Sequence, residues 1–79
     1  KVGVNAGKVE YDKASQAVVC SGVADTANVA VYNLGGTLVG KTVVSGDKAV
    51  VSLVGQPQGS YLLVIRDGDA VRTHKFIKW

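Results

Sequence analysis

Methionine is absent from the 79 residues, and cysteine, proline, histidine, phenylalanine and tryptophan occur once each. Each shortage removes a class of explanation. A chain with no methionine is not expected to be a whole translation product, so it reads as a fragment, processed or cut from a longer protein. The lone Cys20 has no partner for an intramolecular disulfide. Within Ala17-Val18-Val19-Cys20 it reads as a small buried hydrophobe, not as a reactive thiol. Zinc needs three or four converging ligands, and one histidine with one cysteine does not make the usual set. No run approaches the ~18 apolar residues of a membrane helix. No signal-peptide pattern stands at the start. The net charge of +3 is weak and scattered, so nucleic acid is not the expected partner. No segment repeats apolar residues at three-and-four spacing over ten positions, so no helix is expected.

What is abundant points to strands. Hydrophobic residues make up 47% of the chain and charged residues 19%, which excludes a disordered tail. Valine and alanine dominate, and a branched Cβ packs well on a pleated sheet. Val2 to Val4 is a short apolar opening, and Asn5-Ala6-Gly7 is a turn. Strands are expected at Lys8 to Asp12, Gln16 to Val23 (with Gly22 as a bulge), Asn28 to Leu34, Thr37 to Ser45 (interrupted by Gly40) and Ala49 to Leu53. Gly35-Gly36 reads as a hairpin turn with both residues free to take positive φ. Pro57 has no N–H for a ladder, and Gly59 allows the turn into the next strand. In that strand Tyr61, Leu63 and Ile65 share one face, and the apolar Leu62 and Val64 suggest protein on both faces. Asp67-Gly68 suits a type I′ turn into a last strand, Ala70 to Trp79. The expected fold is a single domain over 1–79, all-β: a small immunoglobulin-like antiparallel β-sandwich of about seven strands, with a closed barrel as the alternative.

Catalysis finds little support. His74 and scattered serines and aspartates could form a triad on paper, but no nucleophile elbow accompanies them. Gly7-Lys8 lacks the rest of a phosphate loop, and Asp47, Asp67 and Asp69 all read as turn residues. Neither an enzyme nor a cofactor is expected. The stretch Val71 to Trp79 is different, because it mixes basic and large apolar side chains. As an ordinary closing strand, its alternate residues pack inward and its lysines blunt an exposed edge. As a recognition element, its end protrudes, and Lys78, Trp79 and a free carboxylate offer three handles to a receptor. The residues alone leave both readings open.

Four motifs stand in fixed order along the chain. They are Val29-Ala30-Val31-Tyr32-Asn33-Leu34-Gly35-Gly36-Thr37-Leu38-Val39, then Val51-Ser52-Leu53, then Pro57-Gln58-Gly59-Ser60-Tyr61-Leu62-Leu63-Val64-Ile65, then Lys75-Phe76-Ile77-Lys78. In this order the chain resembles the C-terminal sorting domain of proteins exported by the type IX (Por) secretion system. The resemblance covers roughly residues 29–78. It implies a last domain that directs a passenger protein across the outer membrane. It implies transit through the periplasm, handling by a shuttle protein, a translocon and a cell-surface sortase, and delivery to the cell surface or medium, usually with cleavage of the domain. Carried onto this chain, the partner-binding residues are Lys75, Phe76, Ile77, Lys78 and Trp79. Gly35, Gly36, Pro57, Gly59, Tyr61 and Gly68 shape the turns and strands. Trp79 departs from the small or basic residue that often ends the family. The alternative is a secreted β-sandwich adhesion or accessory module, which the Lys75–Lys78 motif argues against; a carbohydrate-binding module would need more exposed aromatics. A valine-rich sheet edge allows a homodimer in isolation. Deleting Lys75 to Trp79 is expected to leave the domain largely folded while the passenger stays in the periplasm.

Overall fold

The alternation of valine with polar residues is realised as strands throughout. A computed structural model describes residues 8–79, and the regular elements in them are seven strands. These are β1 (Lys8–Asp12), β2 (Ala17–Ser21), β3 (Asn28–Asn33), β4 (Leu38–Val43), β5 (Lys48–Ser52), β6 (Gly59–Asp67) and β7 (Ala70–Lys78). The opening expected at Val2 to Val4 and the turn at Asn5 to Gly7 lie outside the described residues.

The strands form two antiparallel sheets, one ordered β1-β2-β5 and the other β4-β3-β6-β7. The chain is therefore the expected immunoglobulin-like sandwich and not a closed barrel. Its core comes from the facing sides of the two sheets. Val18, Cys20, Ala49, Val51 and Leu53 meet Val29, Val31, Tyr61, Leu63, Ile65 and Phe76, all buried. Burial pushes the Cys20 thiol pKa up, against smaller opposing effects of hydrogen bonding to backbone at Ala49 and Cys20. The sheets come very close at Gly40, where an added Cβ would lie 2.7 Å from Val51 Cγ1. Gly40 is thus a packing position within β4. The irregularity beside it is a bulge at Val39, because Val31 faces Gly40 while Tyr32 faces Leu38.

Three local expectations are corrected. The β3–β4 loop is Leu34-Gly35-Gly36-Thr37, with Gly36 N–H donating to Asn33 O at 3.0 Å. Gly36 has φ +87°, but Gly35 is not left-handed, so one glycine of the pair carries the conformational demand. Asn33 fixes the loop further: its Oδ1 accepts from Thr37 N–H at 3.0 Å, and a Cβ on Gly35 would sit 3.3 Å from that oxygen. In the β6–β7 hairpin the two loop residues are Gly68-Asp69, since Asp67 pairs with Ala70. Gly68 has φ +62° and Asp69 does not have positive φ, which is the pattern of a type II′ turn in place of type I′. Gly22, with φ +74°, turns the chain after β2 and is not a bulge inside it.

The outward sides of Leu62 and Val64 also differ from expectation. Both are half-buried, and no described element lies over that face of the four-stranded sheet. Their shielding comes from neighbours in the same sheet: Leu62 faces Tyr32 and Lys75, and Val64 faces Ala30 and Thr73. A groove of about 450 Å³ crosses this side, lined by residues that include Ala30, Lys41, Val43, Val64 and Arg66.

Candidate recognition site on the last strand

The motif Pro57-Gln58-Gly59-Ser60-Tyr61 resolves into a corner. Gly59 begins β6 with φ +145°, a conformation that side-chain-bearing residues rarely adopt. Tyr61 follows on the inner face, buried, and its hydroxyl donates to the carbonyl of Pro57. A tyrosine near the start of the sixth strand, tied to backbone just upstream, is the tyrosine corner of immunoglobulin-like sandwiches. It fixes where β6 enters the sheet, and β6 in turn fixes β7 through nine paired positions, from Asp67↔Ala70 to Gly59↔Lys78.

That register sorts four of the five terminal residues, Lys75 to Lys78, onto two sides. Phe76 points inward and stacks against Tyr61, with ring centroids 5.8 Å apart, and against Tyr11, at 6.5 Å. Lys78 points the same way and is only 6% exposed, the one charged side chain that is buried among the described residues. Its ammonium lies 3.4 Å from Gln16 Oε1 and 5.9 Å from the centre of the Tyr11 ring. Those two contacts compensate an ammonium's lost hydration only in part. Gln16 itself is held at φ +53°, the one described non-glycine residue in that region, while its carbonyl accepts from Leu53 N–H at 2.8 Å. The Tyr11 hydroxyl is buried beside this cluster with no partner.

Lys75 and Ile77 lie on the other side, and Trp79 follows the end of the strand. Lys75 is exposed, Ile77 is 52% exposed and Trp79 60% exposed. The Lys13 ammonium, from the β1–β2 turn, sits 4.6 Å from the centre of the Trp79 ring. The end of the chain therefore does not protrude as a tail. Lys78 is paired with Gly59, and Trp79 alone lies past the strand. It follows that removing Lys75 to Trp79 would strip Phe76 from the core, contrary to the expectation that such a deletion leaves the fold largely intact.

Of the structural motif residues, Pro57, Gly59 and Tyr61 come together at the corner. Gly36 and Gly68 sit in their separate hairpins, and Gly35 acts through its clearance from Asn33. Gln16, Tyr11 and Lys13 were not foreseen as neighbours of the terminal motif. The alternation of Lys8-Val9-Glu10-Tyr11-Asp12 puts Val9 and Tyr11 on one face, but nothing in the sequence tied that face to Phe76. Elsewhere, His74 Nε2 is buried without a hydrogen-bond partner, so no hydroxyl or carboxylate engages it there. Asp67 is the last residue of β6 and accepts from the Thr26 hydroxyl at 2.8 Å, which makes it a loop anchor instead of a simple turn residue. No group of three metal-ligating side chains occurs among the described residues.

Residues 9–79 match the family described as the secretion system C-terminal sorting domain. Among curated proteins and among solved structures nothing matches the chain. Since the match spans nearly the whole of the 79 residues, from Val9 in β1 to Trp79 beyond β7, the chain belongs to the family of C-terminal sorting domains of the type IX secretion system, a family that marks proteins for export across the outer membrane and is not a catalytic one.

Proposed function

We propose that this domain is an address read on the outer side of its last strand. The fold holds Lys75 and Ile77 exposed on that side, with Trp79 exposed just past the end of the strand, and the shuttle protein of the secretion system docks there after the passenger reaches the periplasm. The translocon then passes the passenger to the cell surface or medium, and the sortase removes the domain. Phe76 and Lys78 serve the same recognition from beneath, by fixing the strand that carries the exposed pair. The supporting observation is the split of one short motif: alternate members are buried, and the others expose large apolar surface that the core does not use.

The test fuses residues 1–79 to an unrelated periplasmic protein in a bacterium that carries the secretion system. The fusion should reach the cell exterior. The triple variant Lys75→Glu, Ile77→Ser, Trp79→Ala should keep the carrier in the periplasm, with the melting temperature of the isolated domain almost unchanged. A carrier that stays inside with the unaltered domain, or one delivered normally by the triple variant, would refute the reading. A secreted adhesion or accessory module predicts the first of those results.

A further inference from the structure

We infer that β7 is a template for strand addition, and that its occupant is an extended, acid-bearing segment of the secretion machinery that handles the domain. This deepens the reading above and rests on it.

Four strand edges bound the two sheets: those of β1, β5, β4 and β7. A free edge offers unpaired N–H and C=O groups to any other chain, and proteins usually blunt it by shortness, bulges or charge. β1 and β5 have five residues each. β4 has six, and the bulge at Val39 breaks its register. β7 has nine residues in unbroken register, without proline or bulge. Among the described residues nothing pairs with its outer edge. Among the described residues β7 is thus the longest and most regular free edge, blunted by charge alone, which a complementary partner turns to attraction.

The hairpin dictates which groups that edge presents. With a two-residue loop, Asp67 and Ala70 form the closing hydrogen-bonded pair, and bonded pairs alternate along an antiparallel ladder. Arg72, His74, Phe76 and Lys78 therefore give their backbone groups to β6. Val71, Thr73, Lys75 and Ile77 turn theirs to the free edge, and the same four side chains stand on the uncovered outer face. The backbone and the side chains of one set of residues are available together, which is what recognition by strand addition needs.

Charge selects the occupant. β7 carries Arg72, His74, Lys75 and Lys78 and no acidic residue. On the outer face, Arg66 stands beside Val71, and Lys41 lies further along the row through Ala30 and Val64. An added strand with carboxylates near Arg72 and Lys75, and apolar side chains near Val71 and Ile77, complements this edge. A second copy of β7 does not, because antiparallel pairing would bring arginine and lysine toward their like charges.

Amide hydrogen exchange on the 79-residue chain, alone and with the purified shuttle protein of the same secretion system, tests this. In the free monomer the amides of Val71, Thr73, Lys75 and Ile77 should exchange quickly while Arg72, His74 and Phe76 are protected. The shuttle should slow those four by about tenfold or more. Thr73→Pro removes one outward N–H without touching the β6 ladder, and should weaken shuttle binding by about tenfold, where Thr73→Ala should not. Binding that leaves the four amides unprotected overturns the inference. So do protection already present in the free monomer, protection that appears with domain concentration alone, and a shuttle that does not bind the unaltered chain. The sorting reading is judged separately, by whether the periplasmic fusion reaches the exterior.

Discussion

The two faces of β7 are made from alternate letters of one motif, yet they answer to different constraints. On the inner face, Phe76 closes an aromatic stack with Tyr61 and Tyr11, and Lys78 is sealed beneath Gln16. On the outer face Lys75 and Ile77 are exposed, and past the strand's end Trp79 is exposed too, with the Lys13 ammonium over its ring. A motif of the form lysine–apolar–apolar–lysine is thus two instructions written at period two: one places the strand, and the other is displayed by it. Substitutions that respect this split should separate folding from export, and each of the following is a way to break it.

Phe76→Ala carries the largest expected effect. Deleting a buried phenylalanine costs about 3–5 kcal/mol, against a total stability of about 5–15 kcal/mol for a typical domain. Phe76 also links the two sheets, because Tyr11 belongs to the three-stranded sheet and Tyr61 to the four-stranded one. Urea denaturation followed by circular dichroism should show a loss of stability of that size and a markedly lower midpoint. A variant that melts like the parent chain and fails only in export would move Phe76 to the displayed set and end the comparison.

Tyr61→Phe is next. It keeps the ring stacked on Phe76 and removes the hydroxyl that ties the strand to Pro57 O. A hydrogen bond of this kind contributes about 1 kcal/mol net. The same urea experiment should give a loss near that value, and export should fall only as far as the folded fraction falls. A greater export loss than the folded fraction explains would show that the corner is itself recognised.

The sequence carried most of the fold for a physical reason. Alternation at period two survives translation into strands almost residue by residue, as in Lys8–Asp12, where the expected and observed limits coincide. Turn residues signalled where the chain reverses, but not which residue would adopt positive φ. Gly36 does so without Gly35, and Gly68-Asp69 forms the loop where Asp67-Gly68 was expected, because the strand register decides between adjacent candidates. The terminal motif was legible as a unit, while its division was not. Period two alone separates Phe76 and Lys78 from Lys75 and Ile77, but it does not say which pair is inside, and lysine is an unexpected choice for an interior position. Contacts across the sandwich were least legible of all. Gly40 against Val51 and Gln16 against Lys78 join segments whose spacing in the chain encodes nothing about their meeting.

Ile77→Ser is expected to change stability by less than about 0.5 kcal/mol, as befits an exposed side chain away from the core. The informative readout is export of a fused carrier, which should drop severalfold while the denaturation curve stays in place. A fall in both together would put Ile77 among the residues that hold the strand, and the outer row would lose its separate meaning.

Lys78→Met should cost the fold least of the four and is the sharpest probe of the inner face. A buried ammonium gives up hydration that one 3.4 Å contact to Gln16 and a 5.9 Å approach to Tyr11 replace only partly. Replacing such a charge with an apolar side chain of similar length is commonly neutral, or stabilising by about 1 kcal/mol. Methionine would keep the packing against Tyr11 and leave Gln16 Oε1 to find another donor. Urea midpoints should therefore be equal or slightly raised in the variant. If instead stability falls by about 3 kcal/mol or more, the Gln16–Tyr11 site compensates the charge far better than its geometry indicates, and the lysine belongs to the fold as fully as Phe76 does. If stability holds and export fails, the buried lysine is maintained for recognition, because nothing in the energetics of the folded domain then requires a charge there.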